Sequence, residues 1–302
     1  MKPIAYAGGA LAVAAALLVS HTARPAAQGG NSDIMAPMST PDDAKKKPGT
    51  WKPKMRPDGQ PQIEGYYQAV ANEGGSSGVN LEPMVGVMGS KRPTPGIVRD
   101  PADGMVPYLP WARARRDEVA QGLMGPNNAQ VDTRNRAWPD GNPRINYYFV
   151  NAFQVIQPKG AVTILYEAQH EFRHIPLDGR PQIDEGVKLW MGSSRGRWEG
   201  TTLVVDIANI NDRVRLSVAG DFASDKVTMT ERWAWVDEDT IRHSATITDP
   251  QVYSRPFTVG VTLKRVKQKN FEIMEYAGVE GEKDAHLMVD IPASVEKAKS
   301  AK

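Results

Sequence analysis

Residues 161–181 read AVTILYEAQHEFRHIPLDGRP, and their conformation decides the fold. Within them, HEFRH at 170–174 carries the H-E-x-x-H spacing of zinc metalloproteases. That spacing works on a helix, where two histidines one turn apart converge on one ion. The surroundings predict a strand instead: they are rich in β-branched and aromatic residues, and Pro176 closes the run. Alternation puts Val162, Ile164, Tyr166, Ala168, His170, Phe172 and His174 on one face. Thr163, Leu165, Glu167, Gln169, Glu171 and Arg173 take the other. Residues four apart on a strand stand roughly 13 Å from one another. His170 and His174 then cannot share an ion, and Glu171 points away from both. The expectation is one strand over 161–175 and no catalytic zinc. A metal held between strands, by His170, His243 and a carboxylate, is the remaining metal alternative.

Working outward, the sequence after Arg144 alternates short β-type runs with turn residues. Strands are expected near 145–157, 161–175, 201–207, 226–236, 240–248, 256–266 and 271–277. Turns are expected at Pro158–Gly160, Asp178-Gly179, Glu199-Gly200, Asp237–Asp239 and Lys267–Asn270. Such a chain is mainly β: an antiparallel meander closed as a barrel or paired as a sandwich, lipocalin-like in outline. Before Arg144 the reading is irregular, with a first strand at GYYQAV and one short helix over 110–124. Pro110 suits the first turn of that helix and Gly125-Pro126 stops it. Its Arg113, Arg115 and Arg116 read as a solvated face. The 23 prolines and 27 glycines fit long connections rather than a helix bundle.

The 37 basic and 35 acidic residues include Lys2 and Arg24, the charges of the first 27 residues, so the remainder is balanced. A balanced chain offers no general electrostatic route to nucleic acid, and no such partner is expected. There is no cysteine, which excludes disulfides, thiolate metal sites and cysteine nucleophiles. Residues 4–20, IAYAGGALAVAAALLVS, form an uncharged, mostly apolar run after Lys2 and read as an export signal. The flank HTARPAAQ lacks a clean A-x-A step, so residues 1–27 are either a removed signal peptide or a retained inner-membrane anchor. Residues 28–60 read as a Pro/Lys-rich tether, too poor in apolar groups to fold alone. A single β-rich domain is expected over 61–293, with its meander at 145–278 and a frayed tail at 294–302. The expected location is the periplasm.

From YEAQHEFRHIPLDGRP through KLWMGSSRGRWEGTTLVVD, the chain resembles a family of exported bacterial proteins without established activity. The family pattern runs Y-E-x-x-H-x-F-R-x-I-P-L-D-G-R-P, then W-M-G-D-S-R-G-R-W-E-G-D-T-L-V-V-D, and D-P-x-x-Y-x-R-P further on. The likeness spans about residues 55–266 and implies no fold, activity or cofactor. It has a histidine matching His170 but no fixed counterpart of Glu171 or His174, which makes HEFRH a coincidence of this chain. The chain departs from that pattern at Ser193 and Ser217, where it has Asp, at Arg215 (Trp), Ala223 (His) and Ala137 (Cys). If relatives use those carboxylates in catalysis, this chain has lost them.

Two function classes follow. The first is a non-catalytic exported β-domain, an accessory or scaffold subunit binding a membrane protein complex or another periplasmic protein. The second is a small-molecule lyase or isomerase, acting on an apolar or aromatic substrate within the barrel. Under that second reading His170 is the acid or base, Glu231 or Asp206 its partner, and Arg173 or Arg195 the anion stabiliser. A soluble carrier of a small apolar ligand is a third class. No cofactor is expected, since neither a phosphate-binding loop nor a dinucleotide fingerprint follows a strand.

Overall fold

The structure is a computed structural model that describes residues 47, 49–70, 80–83, 96–122, 132, 134, 137–147 and 151–276. The apolar run 4–20, the tether through residue 46 and the tail 294–302 lie outside the described residues. No helix among the described residues is long and apolar enough to cross a membrane.

Ten antiparallel strands form one sheet: β1 (Gly65–Ala69), β2 (Val98–Asp100), β3 (Ala152–Ile156), β4 (Ala161–Tyr166), β5 (Phe172–Pro176), β6 (Ser193–Glu199), β7 (Thr202–Ala208), β8 (Thr228–Asp237), β9 (Thr240–Thr248) and β10 (Phe257–Arg265). Their order is β5-β4-β3-β1-β10-β9-β8-β7-β6, with β2 also paired to β10. Two hairpin-linked runs, β3 to β5 and β6 to β10, are therefore joined through β1. The sheet curls until its edge strands β5 and β6 lie side by side. No backbone ladder joins those two strands, so the barrel is nearly closed and has a seam.

Local chemistry sets most of the hairpins. Gly200 supplies the positive φ of the β6–β7 turn, at 61°. The Asp237 carboxylate accepts the Asp239 N–H at 2.8 Å in the β8–β9 turn. Several of the expected boundaries change. The run expected as a strand over 145–157 begins in a 3-10 turn at Arg144–Asn146 and is a strand over Ala152–Ile156. The run 161–175 is two strands, because Gln169 and His170 adopt φ of 54° and 55° and reverse the chain. Residues 193–199 form a strand that the sequence reading did not contain. The expected strand at 271–277 is, over its described residues, an irregular segment with one bridge from Tyr276 to Ala168. The expected tether also gives up residues to the domain. Trp51 packs against the core, and Arg56 Nη2 donates to the Gln157 carbonyl at 2.8 Å.

The inner face is filled. Tyr67 lies opposite Phe153, Phe153 opposite Tyr166, and Trp233 opposite both Leu203 and His243. Ring centroids are 6.0 Å apart for Tyr67 and Phe153, 5.8 Å for Phe153 and Trp233, and 6.2 Å for Trp198 and Trp235. Barrels of about eight strands are just wide enough for side chains to fill them or to hold one small ligand. At the seam Gly196 makes the fit possible: a Cβ there would lie 2.6 Å from Ile175 Cγ2 and 2.7 Å from Leu177 Cδ2.

The two barrel ends differ. One carries short turns at 157–160, 200–201 and 238–239. The other carries the long connections 209–227 and 249–256, and helix α1 (Pro110–Gly122) with the segments around it. Ala112, Arg116 and Val119 of α1, at helical spacing, face the core. The arginines are not a solvated face. Arg113 makes a two-pronged contact with Glu82 at 2.6 and 2.8 Å, and Arg116 Nε donates to Asp221 at 3.1 Å. Arg115 pairs with Glu118 at 2.6 Å. Only the covering of the barrel end by α1 brings Glu82 and Asp221 within reach, whereas Glu118 is on the helix itself.

Candidate functional site

The hairpin between β4 and β5 settles the histidine motif. HEFRH spans a turn and the start of β5, so it supplies neither the helix of a metalloprotease nor the continuous strand expected. Reversal at Gln169-His170 shifts the alternation by one. Val162, Ile164 and Tyr166 face inward before it, Arg173 and Ile175 after it. His170 stands at the surface with its side chain 53 % exposed, 3.6 Å from Glu275. His174 is exposed on the outer face and shares a 3.0 Å hydrogen bond with Thr163. His243 is deep in the barrel, so the expected alternative of His170 and His243 sharing an ion does not form. Among the described residues no cluster of three His, Asp or Glu side chains is placed to hold a metal ion.

What converges instead is a buried polar group on the inner face around Glu231 of β8. Arg173 of β5 donates from Nη1 to Glu231 Oε2 at 2.6 Å and from Nε to Ser194 Oγ of β6 at 2.9 Å. Trp233 Nε1 donates to Oε2 at 3.0 Å, and Asn146 Nδ2 to Oε1 at 3.1 Å. Asn146 Oδ1 in turn accepts the Tyr166 hydroxyl at 2.7 Å. His243 Nε2 lies 3.8 Å from Oε1, and neither ring nitrogen meets a hydrogen-bond partner among the described residues. Burial alone would raise the Glu231 carboxyl. The facing Arg173 charge, then His243 and the Trp233 N–H, outweigh it and hold the group at about 2. Arg173 is lifted above its ordinary range in return: burial lowers it, and Glu231 more than compensates. The pair is an ionised salt bridge inside the barrel.

Asn146 reaches this group because residues 137–147 fold over the loop-bearing end as a plug. A 3-10 turn at Arg144–Asn146 ends the segment. Beneath it Arg144 Nη2 meets Asp132 Oδ2 at 2.6 Å, and Arg134 Nη1 lies 3.4 Å from Asp140 Oδ2. Burial raises the Asp140 carboxyl against the pull of Arg144 and Arg134. Beside it Glu171, in the hairpin turn, is pushed up to about 7, first by burial and then by the Asp140 charge. A second buried group ties α1 down: Asp221 accepts from the Tyr108 hydroxyl at 2.7 Å, from Arg116, and from Ser217 Oγ. Ser217 and Arg215 stand at two departures from the resembled pattern, and both are buried structural residues here. The Arg215 guanidinium is pulled down to about 10 by burial, with Asp132 opposing.

The expected site residues therefore separate. Arg173 and Glu231 come together. Asp206 and Arg195 sit on the outer side of the sheet: Asp206 binds Arg197 at 2.6 Å and Thr230 at 2.9 Å, and Arg195 donates to the carbonyls of Pro181 and Ser194, both at 2.7 Å. His170 is remote from both sets by its place in the exposed turn. The residues the sequence reading missed are Asn146 and Ser194. His243 entered it only as a metal ligand. Its signal was present, since Ile241, His243, Ala245 and Ile247 alternate on the face opposite Glu231. No family model, no curated protein and no solved structure matches the chain.

Glu171 gives a pH dependence of fixed sign. Its pKa is raised in the folded chain, so the associated stability is complete below the ordinary carboxylate value of 4.5 and is lost as pH rises through about 7. After discounting for partial exposure the loss is about 1 kcal/mol. Urea unfolding at pH 5 and pH 8 should show that Glu171→Gln removes this loss, gaining on the parent at pH 8 more than at pH 5. A constant difference at both pH values would contradict the assignment.

Proposed function

We propose that the chain is an exported, non-catalytic β-barrel domain that binds a protein partner, as an accessory or scaffold subunit of a membrane assembly. One observation carries the reading: the interior is packed with side chains whose charges are spent on one another, while large apolar side chains are left exposed where the loops gather. Glu231 and Arg173 are 0 % and 2 % exposed, whereas Phe172, the neighbour of Arg173, is 64 % exposed. Buried charge of this kind specifies the fold, and exposed apolar clusters mark contact surfaces. Support for export and tethering is the apolar run 4–20 and the Pro/Lys-rich segment after it. The test is extraction of native membranes with a mild detergent, followed by native electrophoresis of the tagged full chain. Comigration with one defined membrane assembly is expected. Recovery of the whole population as a free monomer in the periplasmic fraction would remove the reading.

A second reading, a lyase or isomerase using His–carboxylate chemistry, is favoured by one feature: the approach of His243 to Glu231, with both ring nitrogens unpartnered among the described residues. The acid–base role expected of His170 passes to His243 in it, with Arg173 beside the shared carboxylate. A thermal-shift screen of small aromatic and apolar carbonyl compounds tests it. The reading requires a compound that raises Tm in the parent and not in His243→Gln, and it fails if none does.

A further inference from the structure

The exposed apolar side chains are not scattered. Apart from Met55 and Met105, the large ones among the described residues sit on three segments: the start of β5 (Phe172), the connection into β6 (Ile183, Val187, Leu189), and the stretch after β10 (Met274, Tyr276). The fold brings these segments to the loop-bearing end of the seam. Arg173 Nε bonds Ser194 Oγ, which sets Phe172 beside the start of β6, into which Leu189 leads. Met274 N donates to Glu167 Oε1 at 2.7 Å, and Gln169 N donates to the Tyr276 carbonyl at 2.6 Å, which fixes the third segment to the same hairpin.

We propose that this end of the seam is the docking surface for a basic amphipathic segment of a protein partner. The proposal rests on the partner-binding reading and names the surface and the chemistry it takes. Two observations carry it beyond exposure alone.

The first is that the backbone under the apolar groups is pinned. Asn209 Nδ2 donates to the carbonyls of Asp184 at 2.6 Å and Val187 at 3.0 Å. Leu189 N donates to the Asn209 carbonyl, and Asn211 N to the Leu189 carbonyl, both at 2.9 Å. Phe172, 64 % exposed, stands on the β4–β5 ladder, and Met274, 57 % exposed, on chain held by its own N–H bond to Glu167. Side chains held out from fixed backbone bind with a smaller ordering cost than the same groups on a free loop.

The second is charge. The acids interleaved with the apolar groups are Asp184 and Glu185 on one side, Glu272 and Glu275 on the other, and all four residues are exposed. Against these four acids stand His170, beside Glu275, Lys188, which donates to the Asp225 carbonyl at 2.7 Å, and the exposed Arg213, whose guanidinium lies over the Trp138 ring beside Trp190. Arg134 lies behind the ring of Tyr276, its guanidinium 5.2 Å from the centroid, with its side chain 6 % exposed. The rim is therefore net acidic over an apolar floor. An amphipathic segment with lysine or arginine along its polar face complements both parts, and an acidic one is repelled.

The test uses the full chain in phosphatidylcholine nanodiscs, titrated with a fluorescent 18-residue helical peptide carrying Leu on one face and Lys on the other. A Leu/Glu peptide of the same pattern is the comparison, and empty discs give the background. The Leu/Lys peptide should bind the chain and the Leu/Glu peptide should not. Binding should weaken about tenfold in Phe172→Ser/Met274→Ser, and again in Glu272→Lys/Glu275→Lys, with unchanged melting curves. Equal binding of both peptides, or binding unaltered in both variants, overturns the proposal. So does a chain that ignores the Leu/Lys peptide but adheres to phosphatidylglycerol vesicles through Phe172 and Met274, which would make the surface a lipid contact. Native electrophoresis separates the two levels. An assembly that survives both variants sinks the surface and leaves the partner-binding reading standing. A parent chain with no assembly sinks the reading itself.

Discussion

A β-sheet that curls on itself without pairing its last two strands leaves two rows of backbone donors and acceptors facing each other. Here the gap between β5 and β6 is bridged by Arg173, which reaches from β5 to Ser194 on β6 and to Glu231 on β8. Two charges taken fully out of water cost several kcal/mol each, and their attraction compensates only when the other hydrogen-bonding positions are filled. Glu231 meets that condition, with Trp233 and Asn146 donating beside the guanidinium. Removing either charge would leave the other stranded, at a cost of about 3–5 kcal/mol. This one contact ties β5, β6 and β8 together across the seam.

The same contact accounts for the plug. Asn146 is held between Glu231 and Tyr166, so residues 137–147 must lie over the loop-bearing end for the carboxylate to be fully partnered. Asp132, Asp140, Arg134 and Arg144 then hold the plug from behind, and Asp221 does the same for α1. Many paired charges are buried at that end, while the opposite end has short turns and the segment from Trp51 to Glu64, which is bonded to Gln157. Function in such an asymmetric barrel belongs to the end where long connections are held in place and can carry contacts.

Much of this was legible. Glu231 was named from the sequence only beside Asp206, as a possible partner of His170; the run Met229, Glu231, Trp233, Trp235, one acid on an otherwise apolar face, carries the signal that separates the two. The β8–β9 hairpin was readable from Asp237–Asp239, and the turn into β7 from Glu199-Gly200. The reversal at Gln169-His170 was not, because neither residue is glycine and left-handed backbone at such residues is uncommon. Its trace was the change in phase: apolar Val162, Ile164 and Tyr166 at even positions, apolar Ile175 and Leu177 at odd ones. Exposed Phe172 masked that change by continuing the first phase. Strand β6 was hidden for another reason. Its inner face is Ser194, Gly196 and Trp198, small where β5 presses closest, so it lacks the apolar alternation that marks a strand. The pairing of α1's arginines with Glu82 and Asp221 depends on contacts across long stretches of sequence, which no local pattern records.

The direct measurement is amide hydrogen exchange, read by mass spectrometry, on Glu231→Gln beside the parent chain. Gln keeps the side-chain shape and removes the charge that Arg173 faces. If the salt bridge closes the barrel, exchange should accelerate in β5 and β6 in the variant, while the β9–β10 pair keeps the protection it has in the parent. Unchanged exchange in β5 and β6, or an equal acceleration in every strand, would contradict the account.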